Sequence, residues 1–203
     1  MIKLSEIAYL SHIEHVEAVR TLPIPRRIMY ALLSLGSVLL AITFAVVVST
    51  ALALFLVHAF TGHVTTMGDR FLVVASVVSA YMILIGISGN PVPRTIAPGD
   101  SLNKLMRRVL RNGLLIGAIG GFIFGVIWLA TVRISSLYVQ LNTSYDVRVD
   151  VGEILVYGLA IMIAVAVPFA LFRAFYALSG YLTLHVVRQN SPKPNPAAVT
   201  SAR

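Results

Sequence analysis

Long runs of apolar residues dominate the pattern along the chain, and four of them are long enough to cross a bilayer. These runs cover residues 28–57, 71–88, 113–132 and 154–174. A transmembrane helix needs about 20 apolar residues to cross about 30 Å of hydrocarbon, and each run is close to that length or above it. The pattern therefore predicts an all-α integral membrane protein with four transmembrane helices.

Two polar segments flank the predicted transmembrane domain, which covers residues 28–190. Residues 1–27 predict an amphipathic helix followed by a proline-containing linker. The apolar positions of this helix recur at three-residue spacing and are Ile7, Leu10, Ile13 and Val16. Two interpretations fit the helix, docking on a partner protein and lying on the membrane surface, and its glutamates favour the protein partner. Residues 191–203 are polar and proline-rich and predict a flexible tail.

A basic stripe precedes the third run. Asp100 and Ser101 form a helix N-cap signal, and no proline follows before Val132, so we expect one continuous helix from the cap through the third span. The stripe consists of Lys104, Arg107, Arg108 and Arg111. It is either a collar that sets the topology at the membrane surface or a docking site for an acidic partner or anionic lipid headgroups.

The connecting segments contain turn and linker signals. Pro-x-Pro segments at 23–25, 91–93 and 192–194 predict stiff, extended connections. Apolar and polar residues alternate at 138–141 and again at 145–151, which predicts a small external hairpin. Its turn, Asn142-Thr143-Ser144, is also an N-glycosylation acceptor sequence.

Composition indicates that most of the chain lies in lipid, and the distribution of charge indicates its orientation across the membrane. Hydrophobic residues make up 58% and charged residues 12% of the chain, against roughly 45–50% and 25% in soluble domains, which excludes a soluble enzyme. Thirteen of the sixteen lysines and arginines lie in segments 1–27, 89–112 and 173–203. The positive-inside rule therefore predicts that both termini are cytoplasmic, in what we expect to be a prokaryotic plasma membrane. The net charge of +8 marks this topology and does not indicate nucleic acid binding.

Small residues recur every four positions in the third and fourth runs. The third run contains Gly113, Gly117, Gly121 and Gly125, and the fourth contains Ala160 and Ala164. Residues four apart share one helix face, and such small-residue faces let membrane helices approach closely. This glycine zipper packs either within the chain or against another subunit.

Arg173 is the charged residue that interrupts the fourth apolar run. Counted from Ile154, it lies about 28 Å along the helix, at the inner membrane surface, where its guanidinium reaches water. A later helix start would make it a buried charge that needs a partner. Pro168 lies five residues earlier and predicts a kink. A bent helix beside an arginine is the pattern in this sequence that most resembles a functional device.

Patterns for catalysis or cofactor binding are missing from the sequence. There is no cysteine, no Gly-x-Ser-x-Gly and no His-Glu-x-x-His. His58 and His185 fall at opposite membrane surfaces, so they cannot ligate one haem. We therefore expect no catalytic residues, no metal and no cofactor.

Three classes of function are compatible with these patterns. The first is a non-catalytic accessory subunit of a respiratory, oxygenase or translocation complex, with other membrane subunits and anionic lipid headgroups as partners. The second is a small oligomeric transporter or channel that uses the glycine helix. The third is a membrane enzyme for lipid or quinone, which has no visible acid–base pair. The best pore-lining candidates for the second class are Thr43, Ser49, Thr50, Ser76, Ser79 and Ser88. The scarcity of charge inside the spans favours the first class.

Overall fold

The computed structural model describes residues 12–61, 67–88, 102–141 and 150–189. Of these residues 97% are helical, and none forms a strand. The helices are α1 His12–Arg20, α2 Ile24–Thr61, α3 Met67–Ser88, α4 Leu102–Leu141 and α5 Val151–Gln189. Helices α2 to α5 are each long and apolar enough to cross a membrane. The prediction of an all-helical chain with four such helices is therefore confirmed, and the fold is compatible with an integral membrane protein.

Three of these four helices extend well beyond the apolar runs. Helix α2 adds four residues at each end, to Ile24 and Thr61. Helix α4 starts at Leu102, so the prediction that the basic stripe and the third span form one helix is confirmed. Helix α5 continues to Gln189 and passes through Pro168 without a break. Because each added helical residue gains a backbone hydrogen bond, the polar flanks stay helical where nothing terminates the helix.

The first Pro-x-Pro segment begins α2 and is not an extended linker. The Pro23 carbonyl accepts hydrogen bonds from the N–H groups of Arg26 (2.9 Å) and Arg27 (3.1 Å), and the helix starts at Ile24. The linker prediction for residues 23–25 is therefore wrong. The first N–H groups of a helix have no intrahelical acceptor, so proline costs no hydrogen bond at this position.

The predicted hairpin is wrong where the structure describes it. Its first strand, residues 138–141, is the last turn of α4. Asp150, expected in the second strand, is the N-cap of α5, because the Gly152 N–H donates to its Oδ1 at 2.7 Å. Four alternating residues are too few to separate a strand from a helix end, and a continuing helix satisfies its backbone groups locally.

The four long helices alternate in direction. Leu84, late in α3, lies against Gly120 of α4, whereas Ser79, one turn earlier, accepts a hydrogen bond from Trp128 further along α4. These two helices are therefore antiparallel. A central apolar cluster contains buried residues from all four helices, for example Ala53, Tyr81, Leu129 and Phe169.

Helix α1 packs against its own chain. The buried cluster that joins it to the end of α5 consists of Ala18, Leu22, Leu184 and Val187. His15 Nε2 lies 2.7 Å from the Tyr30 hydroxyl, which ties α1 to the first turns of α2. The start of α2 and the end of α5 therefore meet at one end of the bundle, called the α1 end below. The sequence interpretations considered a partner protein or the membrane surface for this helix and did not include docking within the chain.

Several predictions concern residues outside the described ranges and stay predictions. They are the apolar positions Ile7 and Leu10, the N-cap at Asp100 and Ser101, the Pro-x-Pro segments at 91–93 and 192–194, the acceptor Asn142, the strand residues 145–149 and the tail 191–203.

Candidate functional site

Helices α4 and α5 pack closely along the four glycines, in a contact that we call the glycine seam. Each step of four residues forward along α4 moves the contact four residues back along α5. Gly113 faces Ala170, Gly117 faces Ala166, Gly121 faces Met162 and Gly125 faces Gly158. A Cβ atom added at any of these four positions would lie 2.8–3.1 Å from an α5 Cα atom. A larger side chain would therefore push the two backbones apart.

In the residues that the structure describes, the glycine seam is a contact within the chain. Because α5 covers the glycines, this face is not exposed to a second subunit. Ala160 and Ala164 are fully buried in the central cluster. Each is two positions away in sequence from the α5 residues that face the glycines, so the two alanines lie on a different face of α5. Small residues therefore pack on two faces of α5.

Buried hydroxyl groups join α3 to α2 and to α5. Ser49 Oγ lies 2.9 Å from the Tyr81 hydroxyl, and Ser76 Oγ lies 3.0 Å from the Tyr157 hydroxyl. Both serines are fully buried. A polar group without a partner costs several kcal/mol in hydrocarbon, so these pairs both satisfy the hydroxyls and fix how the helices face each other.

The same serines were the best pore-lining candidates in the sequence. A third one, Ser79, accepts a hydrogen bond from Trp128 Nε1 at 3.2 Å. The aromatic partners were not predicted, because a hydroxyl pair between helices depends on how each helix is rotated. The three serines therefore contribute to packing between helices.

Arg173 is buried inside the bundle and is only 9% exposed. Among the described residues, no atom accepts a hydrogen bond from its Nε or Nη1. Its neighbours one turn away, Phe169, Ala170 and Ala177, are buried as well. Most of the side chain is therefore buried in the bundle, and the interpretation in which the guanidinium reaches water at the membrane surface stays a prediction. Gly113 of α4 faces Ala170 of α5, so three residues further along α5 Arg173 is level with Leu110, beside the basic stripe. This depth agrees with that interpretation, but most of the side chain is directed into the bundle.

The carboxylate side chains that the structure describes are those of Glu17, Asp69, Asp150 and Glu153. Glu17 is on α1, whose buried residues pack against Leu184 and Val187, further along α5 than Arg173. Asp69, Asp150 and Glu153 lie at the opposite end of the bundle, where Arg133 and Glu153 form an ion pair between α4 and α5. A buried cation is stabilised only by a nearby acceptor. Two of the three guanidinium nitrogens of Arg173, Nε and Nη1, are thus buried without a hydrogen-bond partner among the described residues. The kink at Pro168 stays a prediction.

An apolar groove of about 770 Å³ lies between α2 and α5. Its wall on α2 runs from Leu40 to Leu52, and its wall on α5 runs from Val167 to Phe175. Thr43 is the one polar residue among its lining residues. At about 1.5 Å per residue the groove is about 18 Å long, which is about three fifths of the hydrocarbon thickness of a bilayer. The sequence did not predict this groove.

The basic stripe borders a second concave space, of about 410 Å³. Spacings of three, four and seven residues put the four cations on one face of α4. All four are exposed. Four residues beyond Arg111, Leu115 is 60% exposed. The stripe thus lies at a boundary between a charged surface and an exposed apolar surface.

In the part of the chain that the structure describes, no group of three His, Cys, Asp or Glu residues is placed to hold a metal ion. His58 lies in the last turn of α2 and His185 near the end of α5, at opposite ends of the bundle.

Comparison with family models, with curated proteins and with solved structures gives no match to this chain. The function proposed below is therefore inferred from contacts within the chain.

Proposed function

We propose that the protein is a non-catalytic accessory subunit of a larger membrane complex of the respiratory, oxygenase or translocation type. In this proposal the α1 end faces the cytoplasm of a prokaryotic cell, as the distribution of lysine and arginine predicts. The observation that carries the proposal is the groove between α2 and α5. We assign this groove to a transmembrane helix of a partner subunit.

The groove fits a helix better than a lipid chain. Its lining includes Ala41 and Ala45, four residues apart on α2, and two small residues at this spacing let a second helix approach closely. Leu40 and Phe44 precede these alanines and also line the groove, so large side chains alternate with small ones as in ridges-into-grooves packing. A disordered acyl chain needs no such arrangement.

The interior of the bundle supports a scaffold role. Its serines pair with aromatic side chains of neighbouring helices, and its glycines are covered by α5. An oligomeric transporter built on the glycine helix needs that face at a subunit interface, so the seam weighs against this second class. The exposed residues that line the groove, Leu40, Phe44 and Val47, are in contrast available to a partner.

Photocrosslinking at two matched phenylalanines tests the proposal. Phe44 lines the groove and is 70% exposed, whereas Phe55 lies on the same helix outside the groove and is 66% exposed. Each is replaced singly by a photoreactive phenylalanine in native membranes. We expect position 44 to crosslink to one discrete protein that also remains bound during gentle solubilisation, and position 55 to give no such product.

A groove-filling variant makes the result specific. Val47 lines the groove and is 60% exposed, so Val47→Trp fills it without entering the core. We expect this variant to lose the crosslink and the copurifying chain while its unfolding temperature in detergent stays the same. Equal crosslinking at both phenylalanines, or purification of the chain as a lone monomer, would contradict the proposal. A crosslink to a second copy of the chain would favour an oligomer instead.

A further inference from the structure

We infer that the partner helix in the groove contributes an uncharged hydrogen-bond donor that binds the hydroxyl group of Thr43 in the middle of the membrane. Such donors are the side chains of serine, threonine, asparagine, glutamine, tyrosine and tryptophan. The inference rests on the proposed function and adds to it the chemistry by which the partner is recognised. It concerns a single side chain, so it can fail while the assignment of the groove to a partner helix stands.

The first argument is the depth of Thr43 along α2. Thr43 lies 19 residues after Ile24 and 18 residues before Thr61, which are the ends of the helix. It also lies in the middle of the apolar run 28–57. At this depth the hydrocarbon contains no water that could bind a hydroxyl group, so the group is stabilised by a protein partner.

The second argument is that Thr43 is the one hydroxyl-bearing residue of the run 28–57 that is exposed. The structure describes every residue of this run, and the other residues with hydroxyl groups are buried or half-buried within the chain. They are Tyr30, Ser34, Ser37, Ser49 and Thr50. The chain thus covers these five at least in part, whereas the cover for Thr43 is left to another molecule.

The third argument is the way in which this chain pairs hydroxyl groups between its own helices. Ser76 Oγ donates to the Leu72 carbonyl one turn earlier, at 2.9 Å, and also lies 3.0 Å from the Tyr157 hydroxyl of α5. A hydroxyl group has one donor and two acceptor lone pairs, so a bond within its own helix leaves it able to accept from a neighbouring helix. Thr43 can therefore bind a donor of the partner in the same way.

The surroundings of Thr43 favour an uncharged donor. All other residues that line the groove are apolar. A charged partner side chain would need an opposite charge at this depth, and the lining contains none. An acyl chain has no hydrogen-bond donor, and a single hydroxyl among apolar residues does not form a path for water or ions. A polar side chain on a packed helix meets both requirements of the groove.

The test uses photoreactive phenylalanine at position 44, next to Thr43, in native membranes. Thr43→Val removes the hydroxyl group and keeps the size of the side chain. We expect it to reduce the crosslinked and copurifying partner roughly 3-fold to 18-fold, the range that interhelical hydrogen bonds give in a membrane protein. Thr43→Ser keeps the hydroxyl group and should retain most of the partner. The matched control is Thr131→Val, because Thr131 is exposed on α4 and donates to the Ile127 carbonyl of its own helix at 2.7 Å.

Mass spectrometry of the crosslinked partner peptide gives a second readout. We expect a donor side chain within one helical turn of the crosslinked residue, and its apolar replacement should weaken binding to the wild-type chain but not further weaken binding to Thr43→Val. A partner segment without such a donor would overturn the inference, and so would equal losses in Thr43→Val and Thr43→Ser, which would show that only side-chain shape matters.

The same experiment separates this inference from the proposed function. Partner retention that is equal in Thr43→Val, Thr131→Val and the wild type would overturn the inference, while the crosslink at position 44 would still support a partner helix in the groove. A chain that gives no crosslink at position 44 and purifies as a lone monomer would contradict the proposed function and this inference with it.

Discussion

Helices α2 and α5 look alike in sequence and differ sharply in packing. They contain 38 and 39 residues, and the most apolar stretch of each has the same mean hydropathy of 2.6. Yet 17% of that stretch is buried in α2 and 56% in α5. Hydropathy therefore indicates that a helix enters the membrane, but it does not indicate whether the helix faces protein or lipid.

Small residues and polar pairs account for the difference. Helix α5 meets α4 along the glycine seam and buries Ala160 and Ala164 on another face. In α2, a Cβ added at Gly36 would have no atom within 4 Å. Between membrane helices no hydrophobic force drives association, so close packing depends on where backbones can approach. Helix α5 is the centre of the bundle, and α2 is largely exposed on its surface.

The largest expected effect comes from filling the seam. In Gly121→Leu the new Cβ would lie 2.9 Å from the Ile161 carbonyl oxygen, and the backbones would have to separate. We expect a loss of about 3 kcal/mol or more in the free energy of unfolding, measured by denaturation in detergent. Gly36→Leu on α2 is the matched control and should not destabilise the protein, because the site is open and leucine is a better helix former than glycine. Similar losses at both glycines would contradict the contrast between the two helices.

A smaller effect of opposite sign is expected at Arg173. Arg173→Met removes a buried charge that has no hydrogen-bond acceptor for two of its nitrogens among the described residues. The isolated chain should become more stable by about 2 kcal/mol, because well-packed apolar replacements of buried charges are often stabilising. The exposed Arg188, changed to Met, serves as the control and should leave stability nearly unchanged. A destabilised Arg173→Met protein would show that the chain itself supplies the acceptor.

The hydroxyl pairs should contribute less to the free energy of unfolding than the two changes above. Tyr157→Phe removes the hydroxyl that lies 3.0 Å from Ser76 Oγ. Because Ser76 Oγ also donates to the Leu72 carbonyl at 2.9 Å, it keeps one partner, and we expect a loss of about 0.6–1 kcal/mol. A double-mutant cycle with Ser76→Ala measures the coupling directly. A coupling energy near zero would show that the pair does not hold α3 to α5.

The smallest expected effect distinguishes the two helices by its sign. Gly36→Ala should stabilise the protein by up to about 1 kcal/mol, because alanine is the better helix former and the site is open. Gly121→Ala carries the same propensity gain but meets backbone atoms of α5, so it should destabilise. Unfolding temperatures of the two alanine variants, measured side by side, provide the test. The same sign in both would show that the seam tolerates a methyl group.

The sequence predicts the parts of this fold that depend on the length of the apolar runs and on the periodicity of apolar positions. The four apolar runs predict the four long helices, and the unbroken pattern after Leu102 predicts the continuous α4. The hairpin at 138–141 and the linker at 23–25 are wrong because short local patterns do not determine how far a neighbouring helix extends. The depth of Arg173 follows from a residue count, but its inward direction does not. Helix rotation depends on packing partners, and for the same reason Ser49 and Ser76 are visible in the sequence while their tyrosine partners are not.

The contact between α1 and α5 has a consequence for how the chain reaches its final form during synthesis. Ala18 and Leu22 are made early, but Leu184 and Val187, which bury them, are made more than 160 residues later. At about 5–20 residues per second, the ribosome needs roughly 10–30 s to produce the docking surface after α1 has emerged. Helix α1 can therefore dock on α5 only after the end of α5 has been made, so this contact requires all four long helices to be present.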